Sequence, residues 1–404
     1  MFVICLRLYK VMLPRQTNTL IIGASISGLA SAAALQKHNI DFLLLEKEGQ
    51  TCSPWRTHYD RLRLHTSKAF SHLPYKKFNK DIPRYPSRQQ VVDYLDDYQQ
   101  TFGIGPVLNT GAISIKRQED HWLTTTNNGI FRSKNLIMAT GAFNEPKPIH
   151  FKGLETFPGK VLHSCAYKTG ADFRGQRVLV VGFGNSACEI AIDLHEQGAS
   201  PAMAVRSAVN VVPRDILGLP IVEISAVLSL LPPKMADAIS APLLNVVLGD
   251  LGKLGLKKKP YGPLEEIRRD HRSPILDVGT IGHIRAGHIR IVGDIDHIDG
   301  STVCFQNARK EPFDAIVAAI GYDRNYAGIV DLDSKRAGEI QTPIGKQKYF
   351  GMDGLYFCGY RISPTGQIRS IASEAKKIAR HIHSSLQQPS PPNRSDASTK
   401  KNMS

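Results

Sequence analysis

Two short stretches of the chain have the residue types and spacing to hold a diphosphate. In the first, the apolar run Thr19-Leu20-Ile21-Ile22 enters Gly23-Ala24-Ser25-Ile26-Ser27-Gly28 and then an Ala-rich segment, Leu29 to Gln36, that reads as a helix. A second apolar run, Phe42 to Leu45, ends on Glu46, eighteen residues beyond Gly28. Strand, tight turn, helix and acid-tipped strand make a nucleotide-binding βαβ unit: the turn aims helix N-terminal amides at a pyrophosphate, and the acid accepts hydrogen bonds from a ribose. The middle position, where backbone approaches the phosphates, is Ser25 in place of glycine, and its hydroxyl is itself a donor. In the second stretch, Arg177 to Val181 enters Gly182-Phe183-Gly184-Asn185-Ser186-Ala187, with all three small positions intact, and a helix continues from Ile190 to Glu196. The strand after it, Met203-Ala204-Val205, ends on Arg206. An acid at that tip would suit the ribose of NAD; an arginine suits the extra phosphate of NADP. An ordinary βα turn and a solvated arginine would leave the same residues, but two such turns 159 residues apart are far more specific than one.

The remaining elements must position these turns. Between Glu46 and Pro86 lies an irregular, aromatic and basic stretch holding Trp55 and Tyr59-Asp60-Arg61-Leu62-Arg63-Leu64-His65, which reads as loops covering a ligand. Ser87 can cap a helix through Val91, Val92 and Tyr94. Alternation then predicts antiparallel strands at Ile113–Lys116, Trp122–Thr126 and Ile130–Arg132, with Asn127-Asn128-Gly129 as a turn. A buried strand, Asn135–Met138, runs into Ala139-Thr140-Gly141. The same order recurs after the second turn: a meander over Ile289–Val292, Asp294–Ile298 and Thr302–Gln306, then a buried strand Asp314–Ile320 reaching Gly321. The chain thus reads as a pseudo-repeat, an α/β protein of two Rossmann-like dinucleotide-binding domains. Leu217 to Leu256 is a Leu- and Val-rich insertion of short amphipathic helices, a lid in the first instance and a membrane-surface patch in the second. Gly354 to Gly359 is a strand with a glycine at its tip, and a helix follows from Ser370 to His381. Gln387 to Ser404 is polar and Pro-rich and is expected to be disordered.

Bulk properties bound the function. At 404 residues the chain has room for two or three domains. The net charge of +15 suits anionic ligands, but the basic residues are spread out and no aromatic-interleaved basic motif argues for nucleic acid. The six cysteines form no C-x-x-C pair and match no zinc spacing, so no metal is expected from them and a reducing, cytoplasmic setting is. The apolar start, Met1 to Leu6, is too short for a signal-peptide core, and Met12 is an alternative beginning. No apolar run reaches transmembrane length.

Between the two turns, Phe157-Pro158-Gly159-Lys160-Val161-Leu162-His163-Ser164-Cys165-Ala166-Tyr167 matches F-x-G-x-x-x-H-x-x-x-Y, and the chain resembles the flavin-containing monooxygenases that carry this sequence. Tyr59 to His65, Gly182 to Ser186, Val205-Arg206-Ser207, Val211-Val212-Pro213-Arg214, Gly262-Pro263-Leu264, Pro274 to Thr280 and Gly354-Leu355-Tyr356 are similar to its YUCCA-type branch, the indole-3-pyruvate monooxygenases. The resemblance runs from about Thr19 to His381. It departs at Ser25, at Ile320 where the family has threonine, and at Tyr167-Lys168, which is unlike the Baeyer–Villiger fingerprint.

The resemblance implies FAD, NADPH and dioxygen, with a flavin peroxide that decarboxylates an aromatic α-keto acid such as indole-3-pyruvate. N- or S-oxygenation and a non-catalytic FAD/NADPH-binding sensor are the other readings; a disulfide reductase is opposed by the lack of an adjacent thiol pair. It implies that Gly23, Ser25, Gly28, Glu46, Trp55, Thr140, Gly141 and Gly359 bind FAD, and that Gly182, Gly184, Asn185, Ser186 and Arg206 bind NADPH. His163 and Tyr167 would hold the joint between domains and position the nicotinamide, or form a structural hydrogen-bonded pair. His65 would approach the flavin. Expected domains are 12–165 and 312–385 for a discontinuous FAD unit and 166–311 for NADPH, with the insertion at 217–256 and a tail at 386–404. The oligomeric state is not legible.

Overall fold

The computed structural model describes residues 14–141, 143, 145–323, 328–331 and 354–387. The expectations for Met12 and for the tail beyond 387 lie outside the described residues.

The strand Arg15–Ile22 is central to a first sheet. Phe42–Leu45 pairs parallel on one side and Gly129–Met138 on the other, so Ile22 sits level with Leu45 and Met138. Leu355–Phe357 continues the parallel order, with Phe357 level with Met138. Leu20, Ile21 and Ile22 are apolar without alternation because helices or side chains cover both faces. The expected strands Ile130–Arg132 and Asn135–Met138 are one continuous strand. Its first half pairs antiparallel with His121–Thr126 and its last residues pair parallel with Leu355–Phe357. Polar Ser133 and Asn135 do not interrupt it, and both are buried within the ladder.

One face of this sheet is covered by Ile26–Gln36, by Arg88–Thr101, and by Gln367–Gln387. The predicted cap at Ser87 is a full capping box: its hydroxyl accepts from Gln90 N–H while the Gln90 side chain accepts from Ser87 N–H. The last helix is longer than the expected Ser370–His381. Its buried stripe, Ile371, Ala375, Ile378, Ala379 and Ile382, packs on the first helix.

The second sheet has five parallel strands, in the order Arg290–Val292, Ser200–Ala204, Arg177–Val181, Ala315–Ala318, Lys160–His163. Asn185–Glu196 covers one face. The antiparallel meander Ile295–Asp299, Thr302–Phe305, Lys310–Pro312 packs on the other through Val303, Phe305 and Phe313. Two strands therefore fall on the other side of the expected divisions at 165 and 312. Lys160–His163 and Ala315–Ala318 both belong to the second sheet. A short apolar strand ending on a small residue satisfies either sheet; only its partner decides. The chain crosses between sheets twice, and the crossings pair: Tyr322–Asp323 lies antiparallel to Glu145–Pro146.

The insertion forms helices Ile221–Leu228 and Pro233–Leu248. Leu244 and Leu248 face inward, while Leu230, Met235, Ile239 and Val246 face solvent. Among the described residues no helix is long and apolar enough to cross a membrane.

Candidate functional site

At the carboxyl end of the first sheet, Gly23, Thr140, Gly141 and Gly359 lie side by side because their strands run parallel and in register. Gly23 has φ +100°, and a Cβ there would stand 3.0 Å from the Ala139 carbonyl. Gly359 has φ +85° and touches the first helix; a Cβ would come within 2.1 Å of Ser27 Oγ. Ser25 is the N-cap of that helix, yet its side chain makes no capping bond, and no acid lies in the first turn. A helix start without a side-chain cap, at the carboxyl end of a parallel sheet, suits a bound anion. Glu46 is buried and faces the turn: its Oε2 accepts from Ala24 N–H at 2.7 Å and its Oε1 from Glu48 N–H at 3.1 Å. Thr140 Oγ1 hydrogen-bonds the Tyr360 hydroxyl. Trp55 is half-buried on a short helix, Ser53–Thr57, between the cores of both sheets. The Cys52 N–H ahead of it donates to Ala24 O at 3.1 Å, so this loop folds over the turn.

The second turn repeats the geometry. Gly182 has φ +116°, with a Cβ position 2.6 Å from the Ala319 carbonyl. Gly184 is the N-cap of Asn185–Glu196, again without a side-chain cap. Asn185 Oδ1 accepts from Leu276 N–H at 2.8 Å, which ties the helix start to a neighbouring strand, and Ser186 stands beside it in the first turn. Arg206 is exposed just beyond Ser200–Ala204, and among the described residues no carboxylate pairs with it.

His65 reaches the helix of the second turn. Its Nε2 contacts the carboxylate of Glu189, which is buried in the helix that starts at the second turn. Glu189 Oε2 has no partner among the described residues. Arg61, Arg63, His65, Glu189, Glu196 and Arg214 line a cavity of about 350 Å³. Arg61 grips Glu196 with two bonds, 2.8 and 3.0 Å, and Arg214 pairs with Asp215 at 3.1 Å. Arg63 makes no ion pair among the described residues. The cavity is thus rimmed by three guanidiniums, one of them uncommitted. Arg61 and Arg63 were not singled out from the sequence as site residues; the signal was their alternation with His65, which in extended chain puts all three on one side.

His163 and Tyr167 are not bonded to each other. His163 Nε2 donates to Gly321 O at 3.1 Å and its Nδ1 accepts from Cys165 N–H at 3.2 Å, so both ring nitrogens are occupied. Burial holds its pKa below the ordinary imidazole range. Tyr167 is fully buried and donates to Asp193 Oδ2 at 2.6 Å; burial, with Asp193 beside it, pushes the phenol far up. The nearby Gly170 N–H donates to the same oxygen at 2.8 Å.

A family model described as pyridine nucleotide-disulphide oxidoreductase matches residues 20–214. The chain is 38% identical over 379 residues to the indole-3-pyruvate monooxygenase YUCCA6 of Arabidopsis thaliana, covering 91% of this chain and 90% of that protein. It is 36% identical over 379 residues to the indole-3-pyruvate monooxygenase YUCCA1 of Oryza sativa subsp. japonica, with 91% of each covered. Among solved structures, a flavin-containing monooxygenase from Stenotrophomonas maltophilia superposes with a TM-score of 0.67 at 18% identity, over 92% of this chain and 99% of that one; this likeness is one of fold.

Proposed function

The chain belongs to the YUCCA-type branch of the flavin-containing monooxygenases, and from that premise we propose an NADPH- and FAD-dependent enzyme that oxidatively decarboxylates an aromatic α-keto acid such as indole-3-pyruvate. The observation that carries the cofactor reading is the pair of uncapped helix starts, each after a close-packed glycine turn, with Arg206 exposed beyond the second. FAD would lie on Gly23, Ser25 and Gly28, with Glu46 on a ribose, Trp55 over it, and Thr140, Gly141 and Gly359 along the strand ends. NADPH would lie on Gly182, Gly184, Asn185 and Ser186, with Arg206 on its 2′-phosphate. Each unit is Rossmann-like in this reading. The paired crossings support a discontinuous flavin unit, 14–146 with 322–387, around a continuous pyridine-nucleotide unit, 147–321.

When bound, FAD reduced by NADPH supplies the activation of dioxygen. The chain's own part is placement and electrostatics. Arg63, which makes no ion pair among the described residues, offers a planar guanidinium to a substrate carboxylate. Among the described residues the cysteines are free and none sits next to another, which argues against dithiol exchange.

The test is oxygen uptake by purified protein with indole-3-pyruvate, phenylpyruvate or a tertiary amine, with product analysis. The preparation should be yellow and bleach with NADPH without air, and the keto acids should release carbon dioxide. Predominant amine oxide would overturn the keto-acid reading; a yellow protein that NADPH never bleaches would overturn catalysis.

A further inference from the structure

His195, His283 and His288 each bring one ring nitrogen to a common point, all within 4.8 Å of one another. They come from two elements. His195 is in the last turn of Asn185–Glu196, and His283 is in the last turn of Thr280–Arg285. After the second helix the chain turns back at Gly287, with φ +77°. Gly287 N–H donates to Ile284 O at 3.0 Å and His288 N–H to His283 O at 2.9 Å. That reversal, which favours glycine, lays the His288 ring parallel to the His195 ring with centroids 4.3 Å apart. His283 closes the triangle, its centroid 5.2 Å from His195 and 5.4 Å from His288.

We propose that these three imidazoles form a binding site for one zinc-class divalent ion, separate from both cofactor turns. The spacing supports it. Two nitrogens on one tetrahedral zinc, with bonds of about 2.0–2.1 Å, stand about 3.3–3.4 Å apart. His283 Nδ1 and His288 Nδ1 are 3.3 Å apart. Each lone pair lies in its ring plane, so binding turns the stacked His288 ring out of parallel with His195; His288 is exposed and has room to turn, while the other two are half-buried. Three imidazoles are a borderline-soft donor set, suited to zinc and not to calcium or magnesium. The backbone adds to the attraction, since the carbonyl end of the twelve-residue helix Asn185–Glu196 points at the cluster. Glu196 is next in sequence but committed to Arg61, which leaves the fourth position to water. The glycine turn lies about 15 Å away along the helix, so the ion acts as a clamp between this helix and residues 280–289, not as a participant in redox chemistry.

The experiment uses tag-free, FAD-loaded protein, stripped with chelator and titrated calorimetrically with zinc chloride alone. One ion per chain with a micromolar Kd is expected, and about 3 °C of added Tm at one hundred times Kd. His288→Gln and His195→Gln should each raise Kd at least about tenfold by removing one of three ligands. His383→Gln, at the separate His38–His383 ring pair, should leave Kd unchanged. Zinc X-ray absorption should show three imidazole nitrogens. NADPH oxidation by metal-free His288→Gln should match that of metal-free wild type. No binding by the wild type, a Kd in either cluster variant equal to that of the wild type, or loss of binding in His383→Gln would overturn the site.

Discussion

Gly28→Ala and Gly184→Ala change the same kind of residue in the two turns, but the structure separates their consequences. A Cβ on Gly28 would stand 1.9 Å from the Gly23 carbonyl oxygen and 3.2 Å from Leu44 Cδ1. Ordinary contact begins near 3.4 Å, so the helix must retreat from its own turn by roughly 1.5 Å. It has nowhere to go: every residue from Ile26 to Leu35 is buried. Overpacking of this kind costs about 1–3 kcal/mol, and the upper end applies because the obstacle is backbone and not a side chain that can rotate. The same retreat withdraws the helix amides from the proposed diphosphate. One charge-assisted hydrogen bond is worth about 1.5–3 kcal/mol, roughly a 10- to 150-fold loss in FAD affinity. At Gly184 the backbone has φ −104° and a Cβ would meet nothing within 4 Å. Gly184→Ala should keep its Tm and its flavin, yet raise KM for NADPH about tenfold, since the methyl fills the space where a phosphate approaches. Calorimetry, the flavin-to-protein absorbance ratio and NADPH saturation curves measure all three. A Gly28→Ala protein with full flavin and unchanged Tm, or a Gly184→Ala protein with unchanged KM, would refute the reasoning.

Arg206→Glu should cut the preference for NADPH over NADH by roughly 10- to 150-fold, read as the ratio of kcat/KM values, because it removes the cation proposed for the 2′-phosphate; an unchanged ratio would place that phosphate elsewhere. Tyr167→Phe removes the donor to Asp193, leaving Gly170 N–H on that buried oxygen. It should cost about 1–3 kcal/mol of stability by thermal unfolding while NADPH oxidation stays within about twofold; a stable variant with collapsed turnover would instead give the tyrosine a positioning role. Asp314 is held down at about 2 by hydrogen bonds from the Arg177 side chain and backbone. A carboxylate depressed in the folded state stabilises above its unfolded range and loses that contribution as pH falls through the folded value. The Tm gap between wild type and Asp314→Asn should therefore be constant above about pH 5 and close on acidification toward pH 2; a gap that widens would contradict the pairing.

Both glycine turns, the capped helix at Ser87 and the amphipathic insertion were legible because each is a local pattern: small residues at a tight turn, Ser before Gln at three, apolar residues at helical spacing. The sheet assignment of Lys160–His163 and Ala315–Ala318 was not, because parallel pairing joins residues far apart in sequence and both sheets want the same short apolar strand. The contact made by His65 was not legible for a related reason. Its partner, Glu189, is 124 residues away, and one turn of helix decides whether that carboxylate faces the loop.

The stretch that first suggested the family acquires a physical meaning from these pairings. A Cβ on Gly159 would lie 2.1 Å from the Asp314 carbonyl, just before the neighbouring strand begins. His163 bonds Gly321 just after that strand ends. Phe157 packs beneath the meander side of the sheet and Tyr167 anchors to the helix on the other side. Four residues thus fix one edge strand at both ends and on both faces. An edge strand of four residues has few ladder bonds of its own, so its place in the sheet depends on such fastenings. It also carries the chain from one sheet to the other, beside the paired crossing at Glu145–Pro146 and Tyr322–Asp323. Spacing of the form F-x-G-x-x-x-H-x-x-x-Y is then a requirement of strand docking: its histidine and tyrosine hold the edge strand against its neighbour and against the helix that covers it.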